Sequence, residues 1–295
     1  MTADLVREER IAGPRREEAS VRAVHGFSAF VLAAALLLPA ATGAADAEWR
    51  SLAEGVSYTV ISLDESPWGD GKLHVVRIDP ELASLRAEMA SEHDGRSRTA
   101  AQWCEHRDLA VAINMGMYQT DYSSNVGYAR DGTHLNQPRL VSKYKSVLAF
   151  GAKKPGLPRA VMIDIDEPGA EARLGDYASV IQNLRLIKAP GKNVWSKQEK
   201  RWSEAAIAMD REGRILFLFA RTPYTMWELN RSLLETPLGI VRAMHVEGGP
   251  EASLSIRARD FVLDLNGSFE TGFVSDDAQA SQWPIPNVIG VAATR

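Results

Sequence analysis

Apolar runs in this chain are short, and most of them alternate. "VSYTVISL" (56–63), "KLHVVRID" (72–79), "LAVAIN" (109–114), "YKSVLAF", "RAVMIDI" and "SVIQNLRLI" (179–187) are six to nine residues long. Glycine, proline, aspartate or asparagine punctuate the stretches between them. Runs of that length and pattern favour strands over helices. "EAAIAMDREGRILFLFA" (204–220) places two such runs around Asp210-Arg211-Glu212-Gly213 and predicts a β-hairpin. "VGYARDGTH" predicts a second hairpin at Asp131-Gly132. "DFVLDLNGSF" and "PNVIGVAA" read as closing strands. Helical signals are few. "TAAQWCEHRD" (99–108) is one, and "TMWELNRSLLETPLG" is another. In the second, Thr225 and Glu228 have capping-box spacing, Met226, Leu229 and Leu233 share a face, and Pro237 with Gly239 ends the helix. The combination predicts an α+β fold: a single compact domain with a mixed or antiparallel sheet and a few helices.

One segment stands apart from this pattern. An apolar run from Phe27 to Leu38 is followed by small residues that include Ala45-Asp46-Ala47. It is shorter than the ~20 residues a membrane span needs. It reads as a secretory signal peptide over residues 1–47, with an extended charged n-region carrying Glu8, Glu9, Glu17 and Glu18. An uncleaved amphipathic anchor is the rival reading. The folded domain would then be 48–295, periplasmic or secreted, with no stable membrane anchor after cleavage. Cys104 is the only cysteine, so no intramolecular disulfide can form and stability rests on the core. The net charge of −4 offers no basic surplus for phosphate backbones, which argues against nucleic acid as a partner.

Two strand ends carry the chemistry. "LAVAIN" runs into Met115-Gly116, and "AMHVEGGPEASLSI" (243–256) bends at Gly248-Gly249-Pro250 between Glu247 and Glu251. Alternation puts Ala243, His245 and Glu247 on one face and Met244 with Val246 on the other. Strand ends that open into loops are common places for sites. The plainer alternative is that Asn114 and Glu247 each cap a nearby backbone N–H.

These two stretches resemble the signatures of the phosphodiester glycosidase family. "AINMGMYQTDYSSNVGYARDGTHLN" is similar to that family's Asn-Gly-Gly-aromatic loop with its "DG" hairpin. "AMHVEGGPEASLSI" is similar to its Asp-Gly-Gly-Gly-Ser bend. Their order and separation also match, and the resemblance spans roughly residues 70–292. It implies an exported hydrolase that cleaves a glycosidic bond whose leaving group is a phosphate monoester, with a carbohydrate or glycosyl-phosphate as substrate. The departures are Met115 for a first glycine, Tyr118 for phenylalanine, Glu247 for aspartate, Pro250-Glu251 for Gly-Ser, and Glu204 where arginine is expected. They replace cationic character with anionic character. An ordinary glycosidase acting on a sugar–sugar linkage, or a non-catalytic envelope glycan-binding module, therefore stand as alternatives.

Glycosidic cleavage builds positive charge on the sugar ring, which a carboxylate stabilises or attacks, and a second carboxyl group serves as acid or base. Glu247 is assigned the first role and Glu251 the second. Asn114 and Tyr118 are expected to position sugar hydroxyls. Gly116, Gly248 and Gly249 would permit close backbone approach, Ser253 would donate a hydrogen bond, and His245 would join from the strand. Arg185 is the candidate cation for phosphate, with a plain surface-strand residue as its alternative.

Other groups carry less. Cys104, Glu105 and His106 are adjacent on a helix and do not face one another. No cofactor is implied with certainty. A divalent cation such as calcium could use Asp164, Asp166 and Glu167, or Asp121, Asn125 and Asp131, though solvated acidic loops explain both sets. No histidine spacing fits zinc. Trp195 and Trp202 flank "WSKQEKRW", either a sugar-stacking lid or a helix packing one tryptophan.

Overall fold

Every strand pairing in the computed structural model, which describes residues 48–64 and 66–293, is antiparallel. The signal-peptide reading over 1–47 lies outside the described residues. The pairing is the antiparallel alternative of the expected mixed or antiparallel sheet, but the described strands divide into three sheets where one was expected. The largest orders Arg50–Ala53, Val56–Ser62, Lys72–Ile78, Ile215–Tyr224, Trp202–Asp210, Ile240–Gly248, Arg185–Lys188 and Lys192–Asn193. A second orders His134–Gln137, Ala129–Asp131, Tyr177–Asn183, Ser146–Ala152 and Ala160–Asp164. The third orders Phe261–Asn266, Ser253–Ala258, Leu109–Asn114, Asn287–Ala292 and Leu85–Met89. With three short α-helices among the described residues, the fold is mostly antiparallel β in a broadly α+β arrangement. Among the described residues no helix is long and apolar enough to cross a membrane.

Local chemistry explains the predicted elements. Both helices that the sequence indicates are present, Ala100–Arg107 and Met226–Glu235. Each opens on a complete capping box, Thr99 with Gln102 and Thr225 with Glu228. The hairpin turn after Asp210 closes because Asp210 Oδ1 accepts the Glu212 and Arg214 N–H groups while Gly213 takes a φ of 82°. "SVIQNLRLI" is not one strand. It breaks at Leu184 and contributes Tyr177–Asn183 to one sheet and Arg185–Lys188 to another. Leu184 is the hinge, its carbonyl accepting the His245 N–H.

The main core lies where Ile207, Phe217, Phe219, Met244 and Val246 of the large sheet meet Val111, Ile113, Leu254, Ile256 and Ile289 of the third. Each such fully buried side chain contributes about 1.5–3 kcal/mol. The opposite face of the large sheet is covered by the helix Met226–Glu235 through Met226, Leu229 and Leu233. This packing brings the ends of Leu109–Asn114 and Ile240–Gly248 together.

Candidate active site

The strand Ile240–Gly248 is bulged next to its end. Ala206 pairs with His245, but Ala205 pairs with Glu247, so Val246 is an extra residue in the ladder. Ala205 and Ala206 point to opposite faces, and their partners therefore do so too. The expected sharing of a face by His245 and Glu247 is thus corrected, because alternation fails across a bulge.

A single 3₁₀ turn, Gly249–Glu251, follows the strand, and Asn114 holds it. Asn114 Nδ2 donates to the Glu251 carbonyl at 3.0 Å, and Asn114 Oδ1 accepts the Ser253 N–H at 2.7 Å. Ser253 Oγ donates to the same Glu251 carbonyl at 3.0 Å. Both side chains are buried. They fasten the two sequence motifs to each other, and the sugar and substrate contacts expected of them are replaced by this backbone capping.

The glycines make room for protein groups. A Cβ on Gly248 would lie 2.6 Å from Trp202 Cδ1, and one on Gly249, whose φ is 62°, would lie 2.6 Å from Glu270 Oε2. A Cβ on Gly116 would meet the side-chain oxygens of Asn125 and Asn183, each at 2.5 Å. Gly248→Ala should therefore displace the Trp202 indole at a cost of about 1–3 kcal/mol. A shift of tryptophan emission and a lower urea midpoint would show it; unchanged values would mean that the indole is not held there.

Under that indole lies a pair that sequence reasoning missed. Glu204 comes from Trp202–Asp210 and His245 from Ile240–Gly248, and both are almost wholly buried. His245 Nδ1 is 2.8 and 2.9 Å from the two Glu204 carboxylate oxygens. Trp202 Nε1 donates to Glu204 Oε2 at 2.7 Å, and its ring meets the imidazole edge-on with centroids 6.1 Å apart. Burial pushes the Glu204 carboxyl upward against the pull of His245. Burial opposes the charged imidazole, yet Glu204, helped by Glu247 and Glu270, holds His245 above its ordinary value. A carboxylate on Nδ1 fixes the ring and leaves Nε2 as its other nitrogen, the division of labour seen wherever an imidazole moves protons. Trp202 is thus the first residue of a strand at the site, and residues 194–201 before it form a loop, which corrects the helix reading; Trp195 packs on Trp202 at 6.3 Å.

Glu247 and Glu251 are both partly buried. Desolvation pushes the Glu247 carboxyl up to about 8, opposed by His245 and by the Gly248 N–H and reinforced by Glu251 and Glu204. Glu247 Oε1 accepts that N–H at 3.1 Å. Glu251 is raised as well, by burial and then by Glu270. Tyr118 lies within the field of both: burial first, then Glu251 and Glu247, lift its phenol far above the usual range. The structure therefore gathers Glu247, Glu251 and Tyr118 around one strand end, with Glu270 and the Glu204–His245 pair beside them.

Arg185 is committed elsewhere. Its Nη1 lies 2.7 Å from both Asp164 oxygens and 2.9 Å from Asp166. This pairing corrects its expected role as a free phosphate cation, and it also occupies carboxylates considered for calcium. Glu167 pairs with Arg242 at 2.5 Å, Asp121 accepts from Ser123 and Ser124, and Asp131 accepts from Ser179. Among the described residues no group of three or more His, Cys, Asp or Glu is placed to hold a metal ion.

Residues 107–292 match the family model described as phosphodiester glycosidase. No match was found among curated proteins. One similar solved structure is the catalytic domain of zebrafish N-acetylglucosamine-1-phosphodiester alpha-N-acetylglucosaminidase auto-inhibited by its pro-peptide. It is 14% identical with a TM-score of 0.53, over 82% of this chain and 83% of that one. Another is a hypothetical protein from Synechocystis, 16% identical with a TM-score of 0.54, over 80% of this chain and 62% of that one. At such identities the likeness speaks to the fold.

Proposed function

From the premise that this chain belongs to the phosphodiester glycosidase family, we propose that it is an exported hydrolase that cleaves a glycosidic bond in a glycosyl phosphodiester or bacterial glycan. The observation that carries this reading is the Glu247 carboxyl, held up to about 8 beside Glu251 at the mouth of a strand end. A carboxyl group that keeps its proton at neutral pH is suited to donate it to a leaving oxygen. Glu247 is therefore the general acid, a role opposite to the one its sequence position first suggested. Glu251 beside it takes the part of the carboxylate facing the developing positive charge. Tyr118 hydrogen-bonds a sugar hydroxyl, and the Glu204–His245 pair positions the Glu247 end of the strand. Export follows from the signal segment read over 1–47.

A second reading is favoured by the charge around the site. Arg185 is paired with Asp164, Arg201 with Glu228 at 2.7 Å, and Arg221 with Asp277 at 2.7 Å, whereas Glu251 and Glu204 push the Glu247 carboxyl up and Glu270 pushes up that of Glu251. An ordinary sugar–sugar bond suits an anionic site better than a phosphodiester does. The test is hydrolysis by the purified full chain of matched glycosyl 1-phosphodiesters and neutral glycosides. Release from either class supports a glycosidase, and the preferred class decides between the readings. No release from any member of a broad panel would overturn both.

A further inference from the structure

The loop that leaves the first motif carries an aromatic ring that no reading of the site has used. Tyr122 is 68% exposed, and its backbone sits in the left-handed region at a φ of 54°. A bulky residue adopts that conformation at a cost of about 1–2 kcal/mol. The loop is nevertheless firmly tied. The Tyr122 N–H donates to the Gln119 carbonyl at 2.9 Å, and the Gln119 N–H donates to the Ser124 carbonyl at 2.8 Å. Asp121 Oδ1 accepts the N–H groups of Ser123 and Ser124 at 3.0 and 2.9 Å, and Asp121 Oδ2 accepts from Ser124 Oγ at 2.6 Å. The Ser123 carbonyl accepts from Asn136 and Asn287, so the loop is bolted to two further segments. Its tip is therefore held in place while the ring faces water.

The ring lies beside the site. Its centroid is 5.7 Å from that of Tyr118, at an interplanar angle of 44°, and Tyr118 is the phenol that feels Glu247 and Glu251. A flat ring fixed in solvent next to polar hydrogen-bonding groups has the form of a carbohydrate subsite: apolar C–H faces of a pyranose lie on the ring while its hydroxyls reach polar neighbours. Asp121 precedes the ring in the chain, and the adjoining Tyr118 lies in the field of Glu247 and Glu251, an acidic setting that suits a neutral sugar ring and not a phosphate at this position.

We propose that Tyr122 is the stacking platform for a neutral pyranose ring bound adjacent to the sugar at Glu247. The inference rests on the glycosidase reading of that neighbouring site. Glycine accepts a φ of 54° without strain, so Tyr122→Gly removes the ring and keeps the loop. The full chain with Glu247→Gln, so that ligand is not consumed, is titrated with cellobiose, maltose and N,N′-diacetylchitobiose. Tyrosine ring resonances are followed by NMR, with and without Tyr122→Gly or Tyr122→Phe. At least one disaccharide should shift the Tyr122 resonances, Tyr122→Gly should weaken its binding roughly five- to tenfold, and Tyr122→Phe should not. Binding indifferent to Tyr122→Gly, or no binding by any of the three, overturns the platform. Hydrolysis by the chain that retains Glu247 separates the two ideas. Turnover whose KM is untouched by Tyr122→Gly overturns the platform and keeps the glycosidase. Tyr122-dependent binding with no turnover of any panel substrate does the reverse.

Discussion

Glu204→Leu is expected to lower the unfolding free energy by about 3–5 kcal/mol, the usual consequence of removing one partner of a buried pair and stranding the other. His245 would keep its burial but lose both contacts to the carboxylate, at 2.8 and 2.9 Å. Trp202 Nε1 would lose its acceptor at 2.7 Å. Leucine fills a similar volume, so a cavity is not the cause of the loss. Glu204→Gln, which keeps an acceptor for the indole, should cost less. The effect has a pH signature. Glu204 holds the His245 imidazole above its ordinary value of 6.5. The stability from that shift is fully present below the unfolded value and is lost as pH rises through the folded one. The gap between the parent chain and Glu204→Leu should therefore be wider at pH 5.5 than at pH 9 in urea titrations. An equal gap at both would show that His245 does not draw its proton affinity from Glu204.

Glu247→Gln is expected to lower kcat by roughly 10²–10⁴-fold, the range for loss of a general acid. It should also make the protein more stable in alkaline solution. The folded carboxyl keeps its proton to about 8, whereas the unfolded one releases it near 4.5. Between those values folding takes up a proton, so the group's cost grows as pH rises and is complete above the folded value. Glutamine has no proton to lose. The gain should be near zero at pH 4 and on the order of 2 kcal/mol at pH 9, since solvent reaching the carboxyl trims the full linkage value. A catalytic group that weakens its own fold is a familiar exchange of stability for activity. Thermal unfolding at the two pH values measures it, and a loss of stability at pH 9 would contradict the assignment.

The elements legible in the sequence were those set by local chemistry. Thr225 announced its helix because a capping box is complete within four residues. The hairpin at Asp210–Gly213 was visible because one carboxylate and one glycine close it. The two glycine bends were visible as motifs, and Asn114 of one fastens to the Glu251 carbonyl of the other. What was hidden depends on register and on partners distant in the chain. Glu204 and His245 are 41 residues apart, and nothing near either residue reveals the other. The bulge at Val246 turned Glu247 to the opposite face without leaving a mark in the alternation. Arg185 looked like a free cation because Asp164, which ends a strand of a separate sheet, and Asp166, in the turn after it, both reach it. Gly248 looked like a place for substrate backbone contact, and instead it admits Trp202.

The most direct test of Glu247 as the proton donor is kcat/KM against pH for the full chain, on whichever panel substrate it hydrolyses best. Activity should be level through neutrality and fall tenfold per pH unit above about 8, as the folded carboxyl ionises. The alkaline limb should vanish in the residual activity of Glu247→Gln. A profile that stays flat to pH 10, or that keeps the same limb in Glu247→Gln, would contradict it.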